Sequence, residues 1–324
     1  MNIPTNAKER AKALLREAGS KPRQLVLLHT LAGIGVLFLS VGIQFLLSLE
    51  IEKTGGLSGM GIRSVLETAQ TLISGAASFL LPFWELGILA VALRLTRQQY
   101  AEPRTLLSGF DRFFPALRLQ LLRGFQYCIV LFLCIQFSTT IFMITPLSNG
   151  LEQAIAPLLT ETAMENPELL AQQIMAAVSF WDFLPLVILV AVWACVLLLP
   201  LMYYYRMADY WILEAEKPKA LIALHASRTM MRGNGLALLR LDLKFWWYYL
   251  LKLVAEVLLY ADLLLPLLGI SLTGAQATFL PLSLYSLVIF FLYLLARCYV
   301  ETTYAGVYDA LAQNTQGKES AENA

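Results

Sequence analysis

Three ionisable side chains stand inside long apolar runs. Glu85 lies in Ser78-Phe-Leu-Leu-Pro-Phe-Trp-Glu-Leu-Gly87, and Lys252 and Glu256 lie in the run that starts at Phe245. A charge in hydrocarbon is costly and is retained when it is paired or does work. Lys252 and Glu256 are one helical turn apart, so they share a face. At about 1.5 Å per residue, Glu85 sits roughly 13 Å from the basic end of its run at Arg94, and Lys252 roughly 12 Å from Lys244. The depths match, so the two meet if their helices are neighbours. Pro82 also leaves a backbone carbonyl free near Glu85. Such a cluster lines a path for a proton, an ion or a polar substrate. The alternative is a salt bridge that only pins helix packing.

A second set is basic and interleaved with apolar residues. After Pro103, the segment Arg104–Arg118 carries Arg104, Arg112 and Arg118 among Leu106, Leu107, Phe110, Phe113 and Phe114. After Pro218, Lys219–Arg232 carries Arg228 and Arg232 among Leu221, Leu224, His225 and Met231. Near the N-terminus, Asn6 and Glu9 resemble a capping box, and Ala7, Ala11, Leu14, Leu15 and Ala18 form a stripe. Basic amphipathic helices lie in the membrane plane against anionic phospholipid headgroups. Solvated connectors are the plainer reading.

Other chemistries lack their residues. No GxxxxGK[ST], GxSxG or HExxH stretch occurs. His29 and His225 have no metal-ligand spacing to each other or to cysteine, and His29 reads as an interfacial residue. Cys128, Cys134, Cys195 and Cys298 read as small core residues. The expectation is a protein that is not an enzyme and holds no cofactor or metal.

The elements that carry these residues follow from composition. Of the 324 residues, 58% are apolar and 15% charged, with net charge +1. Soluble domains run at about 45–50% and about 25%. This excludes a disordered chain and a basic nucleic-acid-binding protein. Six runs are long enough to cross a bilayer, about 25–47, 72–95, 121–144, 183–205, 245–268 and 279–297. They are continuously apolar rather than alternating, so the fold class is all-α, a polytopic membrane protein.

Of the 24 Lys and Arg, 21 fall on one side of these spans, which places both termini in the cytoplasm (N-in/C-in). The first span reads as an uncleaved anchor. Residues 1–324 then form one membrane domain of three hairpins, each an in-plane amphipathic cytoplasmic helix followed by a span out and a span back. Segment 1–24 is a cytoplasmic amphipathic helix, 145–182 an acidic outer loop, 206–244 a cytoplasmic basic helical segment and 298–324 a cytoplasmic tail.

The stretch Ala223-Leu-His-Ala-Ser-Arg-Thr-Met-Met-Arg-Gly-Asn-Gly235, followed by Leu238-Leu-Arg-Leu-Asp-Leu-Lys-Phe-Trp246, resembles the bacterial membrane-protein family known as domain of unknown function 975. Ser227, Met231, Gly233, Leu241, Leu243 and Phe245 match its pattern. Trp246 begins the aromatic run that stands at its tryptophan. Lys244 replaces a common serine, and Cys298 replaces the proline of a closing motif that Tyr299-Val-Glu-Thr-Thr-Tyr-Ala-Gly-Val-Tyr308 otherwise resembles. These departures mark a divergent member.

The resemblance implies a six-span protein of the bacterial inner membrane and carries no activity. Two functions remain in view. One is a non-catalytic protein that holds anionic lipid or a cytoplasmic partner through its basic helices. The other is a small transporter or permease component using Glu85, Lys252 and Glu256, which would need a second copy or another membrane protein to complete a path.

Overall fold

The computed structural model describes residues 6–53, 60–156, 180–260 and 275–322, and among these it is helical with no strand. Five stretches are long and apolar enough to cross a membrane: Lys21–Ile51, Phe79–Thr96, Phe113–Ile144, Leu184–Glu214 and Phe279–Thr315. Their residues face outward to an unusual degree. None of the most apolar window of Leu184–Glu214 is buried. Large apolar surfaces of this kind need an apolar surrounding. The expected run 245–268 is not among the five, because the described part ends at Tyr260 and the rest lies outside the described residues.

The chain divides into two compact units, residues 1–117 with 207–324, and residues 118–206. In the first unit, α1 (Ala7–Ala18) leads into α2 (Lys21–Lys53), and α3 (Met60–Thr96) follows. A 3₁₀ turn (Pro103–Leu107) and the short α4 (Ser108–Asp111) precede α5 (Phe113–Ile144), whose first turn belongs to this unit. Further along the chain come α9 (Ala208–Glu214), α10 (Ala220–Met231), α11 (Gly235–Leu243) and α12 (Trp246–Leu259). Next, α13 (Ala275–Leu292) passes through a π-helical segment (Tyr293–Arg297) into α14 (Cys298–Glu322).

Helix α3 is the hub, touching α2, α4, α9 and α14. Val26 packs with Val91 and His29 with Trp84, so α2 and α3 are antiparallel. Phe245 meets Tyr304 near the start of α12, which sets α12 antiparallel to the α13–α14 helix it packs on. The α3–α4 contact is made backbone to backbone. A Cβ on Gly87 would lie 2.0 Å from the Leu106 carbonyl oxygen, and one on Gly109 would lie 2.0 Å from that of Phe83.

In the second unit, the remainder of α5 is followed by a 3₁₀ turn (Pro146–Ser148) and α6 (Asn149–Ile155). Then α7 (Phe180–Trp193) continues through a π-helical segment (Ala194–Leu198) into α8 (Leu199–Tyr205). Phe137 stacks near Trp193 and Tyr127 near Tyr205, which joins α5 to this last helix.

One expectation changes. Segment 104–118 is not one in-plane helix: it is a turn, a short helix and the start of α5, so Arg118 belongs to a long apolar helix. Segment 298–324, the expected tail, is helical to Glu322 and buries Val300, Tyr304, Tyr308 and Leu311. Of the acidic segment 145–182, residues 157–179 lie outside the described residues.

Candidate functional site

Glu85 is carried by α3 three residues after Pro82, and its partner is Arg297, which donates a hydrogen bond to Glu85 Oε2. The side chain of Arg297 is 3% exposed and that of Glu85 43%. Tyr293, one turn before Arg297, places its ring 4.1 Å beneath the guanidinium, a cation–π contact. Beside the pair, His29 is fully buried and stacked on Trp84 with ring centroids 4.5 Å apart. The two side chains also bind each other's backbone. His29 Nε2 is 2.9 Å from the Trp84 carbonyl oxygen, and Trp84 Nε1 donates to the His29 carbonyl at 3.3 Å. His29 is therefore packed inside the protein.

Lys252 and Glu256 do not join this pair. Neither forms a salt bridge among the described residues, and Glu256 is exposed on α12. Tyr285 on α13 lies within electrostatic range of both Glu256 and Glu85.

A second polar cluster closes the other end of α3. The helix stops when Gln99 N–H donates to the Arg94 carbonyl and Gln98 N–H to that of Leu95, with Gln98 in the left-handed region at φ 56°. This stop presents Arg97. Its guanidinium donates to Asp309 Oδ1 at 2.8 Å and to Glu214 Oε1 at 2.7 Å. Thr96 donates to Asp309 Oδ2 at 2.8 Å, and Tyr308 donates to Glu214 Oε2. Burial opposes the Arg97 charge, but the bonds and charges of Asp309 and Glu214 outweigh it and hold its pKa above the ordinary value.

Arg104, Arg228 and Arg232 are exposed, Arg112 donates to the Glu216 carbonyl at 3.3 Å, and Arg118 is exposed in the second unit. Helix α10 buries Ala223, Leu224, Ser227, Met230 and Met231, so its apolar face is spent on packing against α9 and α14. Leu221 on α10 and Leu236 on α11 are nevertheless 70% and 73% exposed.

The motif residues build the joint between α9 and α12. Ser227 Oγ accepts a hydrogen bond from the Met207 N–H at 3.1 Å, and Met231 is fully buried. Gly233 has φ 81°, a conformation that favours glycine, and it lets the chain turn from α10 into α11. Phe245 is buried against Tyr299 and Tyr304 with Lys8 Nζ 3.9 Å above its ring, whereas Trp246 is 61% exposed. These are packing and turn roles.

Sequence reasoning singled out Glu85 but missed its partner Arg297, and it missed Asp309 and Glu214 as the partners of Arg97. The available signal was the helical spacing of Val300, Tyr304, Val307, Tyr308 and Leu311, which continues the helix beyond Arg297.

An all-helical chain with several membrane-length apolar helices and an ion pair within them is a membrane protein. The chain belongs to the family described as "Protein of unknown function (DUF975)", which matches residues 1–315. No curated protein and no solved structure matches it.

Proposed function

We propose that this is a non-catalytic, six-span protein of the bacterial inner membrane, with both termini cytoplasmic, that engages anionic phospholipid headgroups at its basic end. The observation that carries the reading is the exposure of Leu221 and Leu236 in the segment that carries Arg228, Arg232 and Arg240. A surface that offers leucine and arginine together suits the boundary between acyl chains and phosphate. Each basic residue near an anionic surface contributes about 1 kcal/mol. Three or four therefore select anionic over neutral lipid by a factor of about a hundred or more.

The test is native mass spectrometry of the full chain released from nanodiscs containing mixed neutral and anionic lipid. Wild type should retain anionic lipid, and Arg104→Gln with Arg228→Gln and Arg232→Gln should lose it while staying folded. Equal retention by the triple variant removes the proposal. Reporter fusions at each terminus check the orientation, and cross-linking in membranes checks for a second copy.

One observation favours a second reading, a permease component. A pure packing lock is buried on both sides, yet Glu85 is half open while Arg297 is enclosed. On this reading Glu85 is the group that takes up and releases the proton or cation, with Tyr285 and Glu256 in its electrostatic neighbourhood. Proteoliposome flux that disappears in Glu85→Gln, in a variant that keeps its fold, separates this from the lipid-anchoring reading.

A further inference from the structure

We propose that the cleft between α1 and α14 binds a small zwitterion, an ammonium group and a phosphate joined by a short carbon bridge. The cleft is about 410 Å³, within the range of small-ligand sites. Ala7 and Ala11 on α1 and Gly306 and Ala310 on α14 contribute small residues to its walls, with Leu14 and Gln313 the larger uncharged ones.

The charges are arranged unevenly. On the floor, one guanidinium, Arg97, is shared by two carboxylates, Asp309 and Glu214, so this group carries one surplus negative charge. Its acceptors are not exhausted. Each carboxylate oxygen offers two lone pairs. Asp309 Oδ2 receives the Thr96 hydroxyl and Glu214 Oε1 receives one Arg97 N–H, so both keep room for an N–H donor. On the wall, Arg10 is exposed, and among the described residues its guanidinium has no hydrogen-bond or ion-pair partner.

A bare anion meets the surplus negative charge, and a bare amine leaves Arg10 unused. A molecule with both groups satisfies both. Guanidinium binds phosphate as a fork, and the ammonium adds its donors to the carboxylates. The cleft lies at the end of Phe79–Thr96, a stretch apolar enough to cross a membrane, which is the level where phospholipid headgroups begin. The phosphoethanolamine group is thus the matching chemistry, supplied as a lipid headgroup or as a free solute. This site is independent of the basic surface proposed above, which attracts net-negative lipid.

The experiment uses the full chain in nanodiscs of phosphatidylcholine and phosphatidylglycerol. One arm adds free O-phosphoethanolamine, and the other includes phosphatidylethanolamine in the disc. The thermal midpoint is read in both, with ethanolamine and inorganic phosphate as controls. The midpoint should rise with at least one of the two probes and with neither control. A rise in the lipid arm alone assigns a headgroup, and a rise with the soluble probe assigns a solute.

Arg10→Gln should weaken binding about tenfold to a hundredfold. It should leave the ligand-free midpoint unchanged, since the Arg10 guanidinium has no hydrogen-bond or ion-pair partner among the described residues. Ala310→Phe fills the cleft and should abolish the rise. Where that variant fails to fold, Arg10→Gln decides alone. No rise in either arm, or a rise that Arg10→Gln leaves intact, overturns the proposal.

Discussion

Replacing Glu85 with Gln removes the carboxylate bonded to a guanidinium whose side chain is 3% exposed. Removing one partner of a buried ion pair costs about 3–5 kcal/mol, because the remaining charge has no compensation. The Tyr293 ring beneath Arg297 returns about 0.5–2 kcal/mol of this, so about 3 kcal/mol is the expected loss. The reverse deletion, Arg297→Met, leaves Glu85 with an open side chain that solvent or headgroups can reach, and it should cost about half as much. The pair is then asymmetric.

In the double variant neither charge is stranded, and the coupling should be about 2 kcal/mol. The assay is denaturant unfolding in detergent followed by tryptophan fluorescence, with Trp84 adjacent to Glu85 in the chain. Lys252→Met is the control. It should shift stability by less than about 0.5 kcal/mol and should not couple to Glu85→Gln. Additive losses for Glu85 and Arg297, or coupling of Glu85 to Lys252, would refute the pairing.

Four other outcomes follow from local geometry. Gly87→Ala should destabilise by about 1–3 kcal/mol, and Gly109→Ala likewise, because each new methyl meets a backbone carbonyl that cannot step aside. Thermal unfolding of the purified variants checks both. Ser227→Ala should cost about 1–3 kcal/mol by stranding the Met207 N–H in the core, which chemical denaturation reads directly. Phe245→Ala should cost about 3–5 kcal/mol, whereas the exposed Trp246→Ala should stay within about 0.5 kcal/mol in detergent. Gln98→Gly should raise the thermal midpoint, since a left-handed non-glycine residue costs about 1–2 kcal/mol.

The membrane class and the helical fold were legible because uninterrupted apolar runs have few other physical uses. Glu85 was legible for the same reason: a carboxylate in such a run stands out. Its partner was hidden by a rule that is correct on average. Basic residues flank spans, so Arg297 read as a flank. The helix instead runs on for 25 residues past it, and the polar look of Glu301-Thr-Thr concealed that Thr302 and Thr303 are buried.

The spacing that made Glu85 and Lys252 equal in depth was sound arithmetic, but depth does not say which helices are neighbours. The amphipathic stripes were also visible, yet α1 and α10 turn theirs toward other helices. A stripe records that a face is covered and not what covers it. Asp309 and Glu214 gave no signal of their own, since their meeting with Arg97 is purely tertiary.

The two ion pairs along α3 share one more property. Glu85 on α3 and Arg97 just past its end are twelve residues apart, and Arg297 and Asp309 are twelve apart on the helix that receives them. The order of signs is opposite, negative then positive on the first and positive then negative on the second. With the helices side by side in the same direction, both contacts are attractive. Turned end for end, Glu85 would face Asp309 and Arg97 would face Arg297, and both would repel. A slip of one turn would separate both pairs by about 5 Å. The four side chains thus act as a two-digit polarity code: apolar surfaces alone would accept the second helix either way up, and these charges admit one.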